Sequence, residues 1–518
     1  MTFFDKISNK QQSHGSDTSN FFIGTPEAEG ESAYNSRIQL GEIFGDYLNV
    51  FPELDSEKFI ITGRKGAGKS AIAEYINLTA KDDPNVFCDF VKTRDLKISK
   101  IVQLGKEEGH PVEEYLIFEW LILVKLIELF LQDQSLQNIK EFKDLKVFLQ
   151  RNSGMVDIKR YEIVEIVKDK SFEINIEYFK RVFNSVFKSG YNTKEHKAPF
   201  YKILQPLKEV VLKLLKDKVD SQNEFILIFD DLDIGFKESD KKSIENVTNI
   251  LRVAKDYNID FFGKNGLKSK VIILLRDDLK RVIVKHNADT AKVFSSYEIP
   301  LVWYEHENFK SNENSVGLKH LINKRFEINF IRENIPFNNK DPWSTFFKND
   351  GFDGSSFKNI IDYTFFRPRD LILLFKPLPN KAFKIPLSFN DSKILINSYV
   401  EELINEIKNE LTANFTNEDI SSIFNVLRIL KTKQPLQTED FITAFEEYNL
   451  EYDHGQALIH LFDYSLIGNI DRSDASFSKI YFKHREQRED PCVINFEMEF
   501  IYHKAIEVYF DKRKFTNK

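Results

Sequence analysis

The sequence predicts an α/β fold built on a largely parallel sheet, on three observations. Five short apolar runs, Lys58–Thr62, Val86–Val91, Phe225–Phe229, Val271–Leu275 and Tyr297–Val302, have the length and content of strands buried by helices on both faces. Helical patterns separate them, as parallel strands require. The first run leads straight into Gly63-Arg64-Lys65-Gly66-Ala67-Gly68-Lys69-Ser70, a G-x-x-x-x-G-K-[ST] sequence opening a helical stretch from Ala71 to Leu78.

Composition narrows the class. The chain has 518 residues, which at roughly 150 residues per domain predicts about three domains. Hydrophobic residues make up 42%, including 48 Phe, ample for packed cores and incompatible with global disorder. The net charge of −7 excludes a whole-protein basic footprint for nucleic acid, so any such contact belongs to a local patch. Two cysteines, Cys88 and Cys492, make neither a disulfide framework nor a structural zinc site, which predicts a reducing, cytoplasmic setting. Residues 1–20 are polar, without the apolar segment of a secretion signal, and read as a leader. The most apolar stretch, Tyr115–Leu131, is broken by Glu119, Lys125 and Glu128 and reads as a core helix, so no membrane contact is expected.

The α/β core is expected over 21–305, with a helical insertion at about 95–220, because the gap from Val91 to Phe225 is too long for one crossover. Helical patterns follow over 306–398, with loop signals near Asn334–Pro342 and Asn349–Ser356. The last segment, 399–518, has a small-domain pattern of its own. Thr416-Asn417-Glu418-Asp419 opens a helix with a capping-box-like start, and helices at Thr438–Tyr448 and His454–Tyr464 follow. Leu466–Ile470 and Lys479–His484 then read as a hairpin, giving a C-terminal winged-helix-like domain.

The glycine-rich segment is a phosphate-binding loop, and its chemistry explains its residues. Gly63, Gly66 and Gly68 permit the torsions that turn successive backbone N–H groups toward phosphate oxygens, with Arg64, Lys65 and Ala67 between them. The helix entered through Lys69, Ser70 and Ala71 adds its positive end. Lys69 would reach the β- and γ-phosphates and Ser70 would ligate Mg²⁺. The second half of such a site is an acid ending another buried strand, and Phe225–Phe229 runs into Asp230-Asp231-Leu232-Asp233. Asp230 is the candidate Mg²⁺ ligand and Asp231 the candidate to orient the attacking water. Asp233 reads either as a helix cap or as part of the acidic cluster.

A phosphate loop followed by an apolar run and Asp-Asp-Leu-Asp resembles the STAND ATPases and the origin-recognition branch of AAA+ proteins. More narrowly, it is similar to bacterial P-loop ATPases found among stress and anti-phage defence genes. The likeness extends to Phe22-Ile23-Gly24 with Glu27 and Glu29, to Ile273-Leu274-Leu275-Arg276-Asp277-Asp278, and to Arg367-Pro368-Arg369-Asp370-Leu371-Ile372. It implies a P-loop NTPase core that binds ATP and Mg²⁺ and hydrolyses ATP. Arg276 would sense the γ-phosphate, its other reading being an ion pair to Asp277 or Asp278. The segment 306–398 would form a helical lid in which Arg367 or Arg369 senses the terminal phosphate, the other reading being a solvated helix start. AAA+ enzymes carry Glu where this chain has Asp231, a carboxylate one methylene shorter, which fits a slow switch better than a motor.

The resemblance therefore implies a nucleotide-controlled homo-oligomer, with a separate effector protein as a further partner. An ATP-gated DNA-binding protein is the alternative. The hairpin end carries Lys483, His484, Arg485 and Arg488, diluted by Glu486, Glu489 and Asp490, and reads either as a duplex-binding wing or as a packing and protein-contact element. Neither a G-x-S-x-G elbow nor an H-E-x-x-H helix is present, so no protease or nuclease centre is expected.

Overall fold

The computed structural model describes residues 17–92, 114–151, 173–175, 197–220, 222–232, 241–473, 478–486 and 492–512. These form two compact units. One comprises Asn49–Lys65 and Lys69–Leu301; the other comprises the described residues of Met1–Leu48, Gly66–Gly68 and Val302–Lys518.

The first unit holds a five-stranded, all-parallel sheet. Its strands are β1 (Ile60–Gly63), β2 (Val86–Lys92), β3 (Glu224–Asp230), β4 (Ser269–Arg276) and β5 (Glu298–Pro300), in spatial order β2-β3-β4-β1-β5. The chain leaves β1 for the far edge, returns through β3 and β4, and crosses β1 to reach β5. β1 is therefore where the strand order reverses, and its carboxyl end is where an open α/β sheet leaves a crevice. Phe59, Ile60, Leu227, Val271 and Ile273 are wholly buried, which accounts for the unbroken apolar runs.

Helices α1 (Lys69–Asp82), α2 (Glu114–Phe130), α3 (Phe200–Lys218), α4 (Lys241–Asp256), α5 (Asp277–His286) and α6 (Ala288–Tyr297) belong to this unit, as do the helix Lys140–Arg151 and a short antiparallel pair, Glu173–Asn175 with Lys197–Pro199. The apolar stretch near residue 120 is α2; it packs on β2, β3, α3 and α4 and is buried almost all round. Its charges are answered locally, Glu119 by Lys208 and Lys125 by Glu128 at 2.7 Å. No helix among the described residues is long and apolar enough to cross a membrane. After α4 the side chain of Asn258 acts as a short piece of strand: its Nδ2 donates to the Val271 carbonyl and its Oδ1 accepts from the Val271 N–H, both at 2.8 Å.

In the second unit phenylalanines build an aromatic cluster. Phe326 stacks on Phe346 at 4.0 Å, and Phe375, Phe330 and Trp343 pack around them. Of the polar leader, residues 1–16 lie outside the described residues, whereas Thr18 is fully buried, its N–H donating to the Phe383 carbonyl and its hydroxyl to the Leu378 carbonyl at 2.9 Å each. Helices α7 (Gly317–Arg332), α8 (Pro368–Phe375) and α9 (Phe389–Leu411) precede a C-terminal group of α10 (Asn417–Leu430), α11 (Thr438–Glu447), α12 (His454–Asp463) and α13 (Lys504–Lys512). The Thr416 hydroxyl accepts from the Asp419 N–H at 3.1 Å, as the capping pattern predicts. β6 (Ile467–Asp471) pairs antiparallel with β7 (Lys479–Tyr481) on one side and with β8 (Glu499–Tyr502) on the other. The third strand is absent from the sequence reading, since Glu499-Phe500-Ile501-Tyr502 is too short a run to stand out.

Ile273 and Leu227 have no exposed surface, so Ile273→Ala and Leu227→Ala should each destabilise this unit by about 2–5 kcal/mol. Guanidinium unfolding should show it as a lowered midpoint at unchanged slope. Ile331→Ala, at a position 59% exposed, should stay within about 0.5 kcal/mol of the parent.

Candidate functional site

The site is built where β1 ends. Backbone register sets Gly63 beside Arg276 of β4, and the Thr62 carbonyl accepts from the Leu301 N–H at 2.8 Å on the other side. The loop then turns through two left-handed glycines, Gly66 at φ +78° and Gly68 at φ +100°, which any other residue would hold only under strain. α1 begins at Lys69, whose ammonium donates to the carbonyls of Gly63 (2.8 Å) and Arg64 (3.2 Å), folding it back over the loop.

Within the other unit, the loop tip is fixed from outside. The Trp303 indole N–H donates to the Ala67 carbonyl at 2.7 Å, and the Arg369 N–H to the Gly66 carbonyl at 3.3 Å. A Cβ on Gly66 would stand 2.9 Å from that of Arg369, so the close approach itself requires glycine.

The next residue, Ser70, donates its hydroxyl to Asp230 Oδ2 at 3.0 Å. Asp230 is the last residue of β3 and is buried, and its other oxygen accepts from the Asp231 N–H at 2.8 Å. Asp231 is half-buried and adopts φ +58°, an uncommon conformation for a residue with a side chain. Asp233 lies outside the described residues.

Two oxygens 3.0 Å apart suit a magnesium ion: adjacent ligands of an octahedron with bonds of about 2.1 Å are about 3.0 Å apart. The donor set, one carboxylate and one hydroxyl, is also what this ion takes when phosphates and waters fill the rest of its shell.

Arg276 stands just before the first residue of α5 and is ion-paired with Asp278, Nε to Oδ1 at 3.0 Å and a second bond from Nη2 to Oδ2. Of the two readings of this arginine, the structure displays the ion pair. Burial pushes the Asp278 carboxyl up, but the Arg276 charge and hydrogen bond, joined by the Leu279 N–H and the Arg281 charge, outweigh it and the net shift is downward. Asp277 shifts upward, because burial outweighs the opposing fields of Lys69, Lys280, Arg281 and Arg64.

In the second unit, Arg367 and Arg369 are held by acids. Arg367 is buried; it bonds Asp370 at 2.7 Å and faces Glu406 at 3.5 Å. Burial would lower its pKa, but Asp370 and Glu406 drive it well above the ordinary range. Arg369 bonds Glu406 at 3.1 Å and donates to the Pro26 carbonyl at 3.2 Å. Neither is a solvated helix start, and both are anchored within their own unit.

Three side chains at the end of the C-terminal hairpin also turn inward. Lys483 is buried on Glu486 (2.7 Å) and the Cys492 carbonyl (2.9 Å), His484 is buried, and Arg485 pairs with Asp362 at 2.7 Å. Arg488 lies outside the described residues.

Comparison of the chain with protein-family models, with curated proteins and with solved structures gives no match.

Sequence reasoning missed Trp303, Glu406 and Glu298. Glu298 heads an apolar run, and a lone charge at the first position of a buried strand is the signal that could have found it. Nothing local marks Trp303 or Glu406, which matter through partners far along the chain.

A pH dependence follows from the Arg276–Asp278 pair. A carboxyl whose folded pKa is lowered stabilises the protein above its ordinary value of 3.8, and that contribution is lost as pH falls through the lowered value. In Arg276→Gln, only the Leu279 N–H and the Arg281 charge still oppose burial, so Asp278 contributes less stability above that value. Urea unfolding should therefore show a larger gap between parent and variant at about pH 7 than at about pH 3.

Proposed function

We propose that this chain is a Mg²⁺-dependent ATP-binding and ATP-hydrolysing switch of the STAND/AAA+ type, acting in the cytoplasm as a nucleotide-controlled oligomer. The observation that carries this reading is the Ser70–Asp230 contact at 3.0 Å. It joins the residue after the loop lysine to the acid ending a second parallel strand, with a spacing that fits a magnesium ion.

In this reading the backbone N–H groups of the loop and the Lys69 ammonium hold the phosphates. Ser70 and Asp230 hold Mg²⁺, which when bound supplies positive charge against the phosphate oxygens. Asp231 orients the attacking water. Arg276 exchanges Asp278 for the γ-phosphate, and Arg367 or Arg369 would do the same only by leaving Asp370 or Glu406. A γ-phosphate that must outcompete a resident acid makes a state-dependent sensor, the logic of a switch.

The segment after the core then acts as a helical lid. The C-terminal helices with β6, β7 and β8 act as a winged-helix-like module that packs or binds protein, the inward commitment of Lys483 and Arg485 weighing against the DNA-binding alternative. A role in anti-phage defence or stress response, with a separate effector, rests on the resemblance of the motifs.

Light scattering with ATP, ADP and no nucleotide tests the switch. The parent should form a larger species with ATP, Asp231→Ala should hold it, and Lys69→Ala should lose it. Calorimetry with MgATP should show Lys69→Ala weaker by about 100-fold or more, the scale expected for removing a charge-assisted phosphate contact. An unchanged size under every nucleotide overturns ATP-driven assembly, and absence of MgATP binding overturns the reading as a whole.

A further inference from the structure

Thr62, the residue before the phosphate loop, is fully buried and donates its hydroxyl to the Glu298 carboxylate. Glu298 opens β5, and its two oxygens accept from the Lys280 ammonium at 2.6 and 2.7 Å. Lys280 belongs to α5, one turn beyond Arg276 and Asp277. One carboxylate thus ties together the carboxyl end of β1, the start of β5 and the helix that follows β4. A buried hydroxyl needs only one acceptor, and an apolar side chain would fill the same space without the cost of burying charge. Glu298 is instead directed at two elements whose spacing matters to the site: Gly63 opens the loop, and Arg276 stands beside it in register.

We infer that Glu298 is a positioning residue for the phosphate site: through Thr62 and Lys280 it fixes the first turn of α5, and with it Arg276 and Asp277, against the start of the loop. The inference rests on the ATPase reading and extends it to a residue that touches neither nucleotide nor metal. Because the loop that holds the phosphates keeps its own glycines and lysine, the effect falls on turnover and leaves ATP affinity nearly alone.

The test compares MgATP hydrolysis by the full chain with Glu298→Gln, which keeps an acceptor for Thr62 but loses the ion pair, with Lys280→Met, and with both together. Each single variant should lower kcat about tenfold with KM within about twofold, the size expected for a residue that orients another. The double variant should be no slower than either single, because the two act as a unit. Thr62→Ser should keep the parent's kcat, as the hydroxyl is retained. Lys280→Met carries the same test if Glu298→Gln does not fold. Unchanged kcat in a folded variant, or losses that multiply to about 100-fold in the double, overturns the inference while the ATPase reading stands. A parent that neither binds nor hydrolyses MgATP overturns the reading and the inference with it.

Discussion

Two hydrogen-bonded ladders hold β1 between β4 and β5, and the arrangement of the site depends on them. Because the strands are parallel, their carboxyl ends share one edge, and the residues that leave that edge gather without any long-range design of the loops. Gly63 meets Arg276 by register alone. Asp230 reaches Ser70 because β3 lies one strand beyond β4, so a short carboxylate and a short hydroxyl close the distance. The apolar runs that make these strands are therefore also what positions the polar groups at their ends.

In each of the two units, cations are kept in check by acids. Lys280 lies on Glu298, Arg276 on Asp278, and Arg367 and Arg369 share Glu406. Each pairing is partly or wholly buried, where attraction is stronger than at the surface and an uncompensated cation would be costly. Any anion approaching one of these cations meets a partner already bound, so pairing with it would require exchange. That arrangement favours two alternative states over graded adjustment.

Much of the sheet was legible because each of its strands is a continuous apolar run, and the loop because its glycines and lysine have fixed spacing. Asp230 was legible from its place after Phe225–Phe229. The helix of residues 114–130 was recognisable by its apolar length, but its seat directly on β2 and β3 was not, since periodicity says nothing about which face an all-apolar helix presents. β8 escaped notice because a four-residue strand beside a loop has no period to read. The inward turn of Lys483 and Arg485 was equally hidden: basic residues in a row suggest a surface, and only their distant or neighbouring acids, Asp362 and Glu486, reverse that reading. Trp303 lies more than 200 residues from the loop it braces, so no local pattern could announce it, and Glu298 showed only as a lone charge heading a strand.

The left-handed backbone at residue 231 bears on why that position carries the shorter acid. Its φ of +58° falls in a region that aspartate and asparagine tolerate better than longer side chains, because a carboxyl close to the chain can bond its own neighbourhood. A glutamate there would gain reach and lose that local accommodation. The main chain thus selects the acid before any chemistry does, because only a short side chain occupies this turn comfortably.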